Sequence, residues 1–182
     1  YSIDVLRTDV LYVLPAKNPD ASDFSSARFD AALELSQHLE DLFSDTRNVG
    51  HKRAGATNLY IRGSRSRGGL KSIPVGRLGL DEFDEMDQTQ TNLAEERLSG
   101  QFDKQLWRIS TPTIENFGID AQIRISTDQI FSFKCPHCSR WTELIFPDCL
   151  KVTADSLNDP TIRESYLMCK ECNVKLDHEN KH

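Results

Sequence analysis

Two C-x-x-C pairs, CPHC at 135 to 138 and CKEC at 169 to 172, constrain this chain more than any other feature. Each pair turns two thiolates toward one point, and two such turns complete a tetrahedral site for one ion. Thirty residues separate the pairs, so the chain between them must fold back to close the site. The spacing predicts a structural Zn²⁺ held by Cys135, Cys138, Cys169 and Cys172, stabilising a module with no sizeable core of its own. A thioredoxin-type redox pair is the alternative for one C-x-x-C, but that motif opens a helix after a strand and has no use for a second pair. His137 is not expected to be a ligand, and His178 is at best a weak substitute for a poor cysteine. Cys149 reads as a small buried hydrophobe. Zinc here is either pure scaffolding or the frame that makes Lys134, Arg140 and Trp141 a DNA or partner contact.

The remainder of the 182 residues has room for one core of ordinary size. DVLYVLP (9 to 15) is a short β-rich run closed by proline and reads as a buried strand. Phe24, Ala27, Ala31, Leu35, Leu39 and Leu42 recur at steps of three and four, which predicts an amphipathic helix over about 23 to 43. TNLYIRG (57 to 63), VGRLGLDE (75 to 82) and QLWRISTP (105 to 112) read as further strands, and 90 to 99 as a helix ended by Gly100. SRSRGGLKS reads as a turn or loop with at most one helical turn. Strands separated by such segments predict βαβ crossovers and a mainly parallel sheet. Beyond about residue 120 the pattern changes to short antiparallel strands, and a boundary is expected between 120 and 133.

Charge is segregated. From Thr46 to Leu80 there are eight basic residues and no acid, and five acids then fall between Asp81 and Asp87. A solvated basic loop is the plain reading of the first stretch. His38 and His51 have no recognisable partner spacing and read as surface residues. The net charge of −6 argues against a binder of nucleic acid over the whole surface. No apolar run approaches the roughly 20 residues that span a bilayer, and no secretory leader opens the chain. The chain begins with Tyr1 rather than Met, as a piece of a longer protein would.

Parallel sheets place ligands at the carboxyl ends of their strands. An apolar strand ending in Asp-Glu there is either a strand capped by surface acids or a Walker B element, in which the aspartate holds the Mg²⁺ shell and the next acid orients and deprotonates water. Asp81 and Glu82 are the candidates. Asp84, Glu85 and Asp87 are expected to be solvated, with Asp84 a candidate for the outer shell of the ion. The hydroxyls of ISTPT lie at the end of the next strand, where small hydroxyl residues can sense a γ-phosphate. Arg62, Arg65, Arg67 and Lys71 are the candidate phosphate contacts, to nucleic acid or to a nucleotide on a neighbouring subunit.

The ordered series GATNLYIRGSRSRGGLKSIPVGRLGLDEFDEM, ISTPT, FKCPHC and CKEC resembles the ATPase portion of the large terminase subunit of tailed phages, of the lambda-like class. The resemblance covers about residues 9 to 176. It implies a RecA/ASCE-like P-loop NTPase sheet, incomplete at the N-terminus, followed by a small zinc-ribbon-like module. Residues 1–125 would be the partial ATPase domain and 126–182 the Cys₄ module. It also implies a motor that hydrolyses ATP to drive double-stranded DNA into a procapsid in the cytoplasm of the infected host. Its partners would be the small terminase subunit and the portal, and it would form a homo-oligomeric ring when full length.

By position, Asp81 matches the Mg²⁺ residue, Glu82 the catalytic acid, and Ser110, Thr111 and Pro112 the coupling motif. One arginine of the basic segment would be a finger to the neighbour's ATP. No G-x-x-x-x-G-K-[ST] occurs in these residues. The resemblance puts that loop before Tyr1 and the nuclease domain outside the chain, so residues 1–182 alone are expected to be inactive. DEFD also fits a helicase D-E-x-D box, but a helicase needs a second RecA-like domain for which there is no room. A non-catalytic zinc-ribbon remnant that binds DNA or protein is the alternative from another class.

Overall fold

Apolar runs stopped by proline, glycine or charge become the strands of one six-stranded sheet. The computed structural model describes residues 1–177, with all their side chains except those of Thr46 and Arg67; His178 lies outside the described residues. The strands are β1 (Val10–Leu14), β2 (Thr46–Asn48), β3 (His51–Ala54), β4 (Thr57–Gly63), β5 (Arg77–Asp81) and β6 (Gln105–Ile109). Their order across the sheet is β2-β3-β4-β1-β5-β6. The four strands β4, β1, β5 and β6 are parallel, with Val13 level with both Arg62 and Leu80, and Asp81 level with Ile109.

Parallel neighbours need long crossovers, and these carry the helices. The first is less regular than its spacing predicts. Wide turns over Lys17–Ala21 and Phe24–Asp30 lead into α1 (Ala31–Glu34) and α2 (Gln37–Leu42). The break falls at Ser36, which is extended and accepts a capping bond from the Leu39 amide at 3.5 Å. Leu35, expected on the apolar face, is therefore 89% exposed, while Leu33 is buried in its place. On the other face lie α3 (Arg67–Leu70) and α4 (Gln88–Glu95), the latter prolonged by a tight turn over Glu96–Leu98. Gly100, at φ +80°, ends this run as expected.

The core accordingly has two halves. Leu11, Val13, Leu78, Leu80, Phe83 and Ala94 pack on the α3–α4 side. Leu14, Ala21, Leu33, Phe43, Leu59 and Ile61 pack on the α1–α2 side. The basic stretch is not simply a solvated loop. Thr46–Asn48 and His51–Ala54 form an antiparallel hairpin that extends the sheet beyond β4. Lys52 on β3 is fully buried, with Nζ 2.7 and 2.9 Å from the Asp30 carboxylate oxygens. Arg77 is buried too and pairs with Asp103 at 2.7 Å.

The chain divides into two compact units, Tyr1–Ser126 and the residues from Thr127 on. The second is built of two-stranded ribbons, β7 (Phe133–Lys134) with β8 (Trp141–Thr142) and β9 (Leu150–Lys151) with β10 (Tyr166–Leu167), both antiparallel. Phe133 and Leu176 pack on the cysteine cluster that forms its small core, and Cys149 is buried. Among the described residues no helix is long and apolar enough to cross a membrane.

Candidate functional site

β5 is buried along Arg77–Leu80 and emerges at Asp81, so its carboxyl end is where charge first meets solvent. The Asp81 carboxylate is fixed from two sides. Its Oδ2 accepts a 2.6 Å hydrogen bond from the Tyr12 hydroxyl on β1, and its Oδ1 accepts one from the Glu82 amide at 3.1 Å. Tyr12 stacks on Phe24 at 4.8 Å and lies over Gly79, where an added Cβ would sit 2.9 Å from its ring. The glycine in this strand thus makes room for the ring that holds the aspartate. Burial first, then the hydrogen bond to Asp81 and its charge, hold the Tyr12 phenol well above its ordinary pKa, so it stays a donor.

Glu82 is exposed and left-handed, at φ 57° and ψ 50°, which turns the chain sharply out of the strand. The tight turn Phe83–Glu85 follows. Because Asp81 is level with Ile109, Ser110 emerges beside Glu82 at the same edge. Ser110 Oγ accepts a 3.0 Å hydrogen bond from the Asp84 amide, while Thr111 and Pro112 are exposed. The expected acids and the expected coupling residues are therefore brought together.

Asp84 departs from expectation. It is 8% exposed rather than solvated, and its oxygens face the loop after β6 instead of the Asp81 carboxylate. Its Oδ2 accepts from the Thr113 amide and hydroxyl, both at 2.9 Å, and its Oδ1 from the Ile119 amide at 2.7 Å. Burial alone would raise its pKa, but the bonds from Ile119 and Thr113 outweigh burial and the carboxyl lies below its usual value. Glu85 and Asp87 are exposed as expected, and Asp87 caps α4 through the Thr89 amide.

The basic candidates share the same edge of the sheet. Arg62 is two strands from Leu80, a separation of about 10 Å. Its guanidinium is half-buried over the Tyr60 ring and donates to the Gly50 and Ile61 carbonyls. Burial lowers its pKa. A cleft of about 330 Å³ there is lined by Arg62, Lys17, Ser22 and Ser66 together with Ala21, Val49, Ile61 and three glycines. Arg65 and Lys71 are exposed on the turns flanking α3; Arg67 opens α3, and its side chain is not among those described.

The four cysteines converge in the second unit. All four Sγ atoms lie within 4.8 Å of one another, with Cys135 to Cys172 at 3.9 Å and Cys138 to Cys169 at 4.0 Å. A tetrahedron with Zn–S bonds of about 2.3 Å has S···S edges of about 3.8 Å. The donor set therefore fits a Zn²⁺-sized ion, and the five cysteines are unpaired as thiols. The two knuckles are built alike. Ser139 and Asn173, each following a second cysteine, are left-handed at φ 59° and 58° and return a hydrogen bond to the carbonyl of the first. Amides aimed at sulfur favour the thiolate. Burial pushes Cys169 up, but hydrogen bonds from the amides of Cys172 and Glu171 help hold the thiol below its ordinary value. Of the residues weighed as a contact surface, Lys134, Arg140 and Trp141 are exposed, and Arg140 has Glu171 at 3.6 Å.

A mostly parallel α/β sheet with acids at the carboxyl end of a buried strand and hydroxyls on the next, followed by a four-cysteine module, is the plan of a P-loop-type ATPase domain with a small cysteine-rich appendage. Over residues 1–182 the chain matches the family model of the phage terminase large subunit gpA, ATPase domain, and it belongs to that family. Among solved structures, the large terminase of a thermophilic bacteriophage, in complex with ATP-γ-S, is similar with a TM-score of 0.30 and 14% identity. That match covers 60% of this chain and 34% of the other, so the chain spans about a third of that terminase. No curated protein matches in sequence.

Proposed function

We propose that this chain carries the hydrolytic half of the ATP site of a DNA-packaging motor. The observation that carries the proposal is the Asp81–Glu82 step at the carboxyl end of β5, in register with the Ser110 end of β6. Mg²⁺ takes one or two carboxylates and fills the rest of its shell with water and phosphate oxygens, which suits a half-buried, doubly anchored Asp81. When bound, the ion neutralises charge on the phosphates and templates the attack. Glu82 is the exposed acid next to it and takes the proton of the attacking water. Ser110, Thr111 and Pro112 are the coupling residues that read the loss of γ-phosphate.

Arg62, Arg65, Arg67 and Lys71 are assigned to phosphate contact. What supports this for Arg62 is its place near the carboxyl end of β4, two strands from Leu80. Cys135, Cys138, Cys169 and Cys172 hold Zn²⁺ as a structural ion. The partners are double-stranded DNA, the small terminase subunit and the portal of a procapsid, engaged by a ring of copies in the host cytoplasm. The division into an ATPase portion over 1–125 and a zinc module over 126–182 goes with this reading. Residues 1–182 alone, which contain no phosphate-cradling loop, are expected to turn over no ATP.

The test is steady-state ATP hydrolysis by the complete gene product. Glu82→Gln should cut kcat by about 10²–10⁴-fold while Mg²⁺–ATPγS still binds. Asp81→Asn should weaken Mg²⁺-dependent binding itself. Turnover of Glu82→Gln within a few-fold of wild type would sink the proposal.

A further inference from the structure

One buried titratable group has no part in the hydrolytic chemistry above. Asp84 is three residues beyond Asp81 yet turns away from solvent, and its carboxylate accepts three hydrogen bonds from the segment after β6. The contact is reciprocal, since the Asp84 amide donates to Ser110 Oγ. Four hydrogen bonds therefore join one residue of the turn Phe83–Glu85 to Ser110, Thr113 and Ile119. The chain is shaped to receive them. Asn116 and Gly118 are left-handed at φ 60° and 53°, and a Cβ on Gly118 would collide with the Asp84 carboxylate. The Ile119 amide, in the first turn of α5 (Gly118–Arg124), is thereby aimed at Asp84 Oδ1.

We infer that Asp84 is a positioning residue that latches the segment Ser110–Ile119 to the turn carrying Glu82, so that a displacement of either is imposed on the other. This rests on the assignment of Asp81 and Glu82 to the ATP site and adds to it the mechanical link. A γ-phosphate or attacking water that pulls on Glu82 moves Phe83–Glu85. Through Asp84 it moves Thr113 and the start of α5, 29 and 35 residues further along the chain. A carboxylate suits the task because both its oxygens accept. An asparagine amide would set an N–H₂ against either the Thr113 or the Ile119 donor and break one side of the latch.

The experiment compares ATP hydrolysis by the complete gene product with Asp84→Asn, Thr113→Ala, the double variant and Glu82→Gln. Asp84→Asn is expected to lower kcat at least tenfold with KM for ATP within about threefold. Thr113→Ala should lower kcat in the same sense. The double variant should be no slower than the worse single, because both remove one connection. If both single variants keep kcat within twofold, or lose activity only in proportion to a loss of folded protein, the inference is overturned. Should Asp84→Asn fail to fold, Thr113→Ala and Ser110→Ala decide by the same criteria. Glu82→Gln separates the two assignments: if it retains turnover, the ATP-site reading fails, whatever Asp84 does.

Discussion

Tyr12 and Asp84 fix the acidic strand end, each through partners far along the chain. The Tyr12 ring was legible as part of a buried strand, but its partner is 69 positions away and depends on which strands become neighbours. The clue is Gly79: glycine weakens a strand interior, and here its missing side chain is the space the ring occupies. Tyr12→Phe removes the 2.6 Å bond to Asp81 and keeps the stack on Phe24. It should cost about 1–2 kcal/mol, read as a lower midpoint in urea with an unchanged slope. Asp84 was hidden by its neighbours, because a run of acids is normally solvated; the signal was downstream, in the Thr and Gly of 113 and 118. Its folded pKa is depressed below an unfolded value near 3.9, so its contribution to stability is full above about pH 4 and is lost as pH falls through the folded pKa. The stability gap between wild type and Asp84→Asn should therefore narrow on acidification from pH 6 to pH 3. A gap that stays constant over that range would contradict the assigned direction.

Strand and helix identity was legible where period and punctuation agreed, as in β1, β4 and β5, and failed where a charged residue faced inward. The β2–β3 hairpin shows why. Its one-sided sequence, HKRA on β3, alternates with the basic Lys52 turned to the core, the reverse of the usual pattern. Only the two-residue Val49–Gly50 turn between Asn48 and His51 pointed to a hairpin. His38 and His51, read as surface residues, are exposed and half-buried respectively; His38 sits 2.9 Å from Asp4 and His51 stacks on Tyr60. The Lys52–Asp30 pair fastens the hairpin to the helical layer, since Asp30 precedes α1 and Lys52 is also 5.9 Å from the Phe29 ring centroid. Removing one partner of such a pair is costly, whereas an apolar isostere is tolerated. Lys52→Ala should destabilise by about 3 kcal/mol, and Lys52→Met, which keeps the stem, by about 1 kcal/mol or less. Equal losses in the two variants would mean that packing of the stem is irrelevant and the charge is everything.

At the scale of the molecule, the two cysteine pairs were the most legible feature, because four soft ligands at fixed spacing leave few other ways to fold. What the spacing could not convey is how the knuckles are held, which rests on left-handed Ser139 and Asn173 and on backbone bonds to Cys135 and Cys169. The purified chain should contain one Zn²⁺, measured by atomic spectroscopy. Cys138→Ser should lower the zinc content, and affinity should fall as the solution is acidified, because the ligands bind as thiolates. The two tryptophans report the two units separately, Trp107 on β6 in the first and Trp141 on β8 in the second. Among the described residues the buried cluster of the second unit is Cys135, Cys169 and Leu176, two of them cysteines of the four-sulfur site, with Cys149 buried besides, so removing zinc should unfold it. The first has ten buried residues in one half of its core alone, and that packing does not involve the metal. Chelation should therefore shift the emission of Trp141 and leave Trp107, isolated in Trp141→Phe, unchanged. If Trp107 emission shifts as far as that of Trp141, the ion stabilises the whole chain and not just its module.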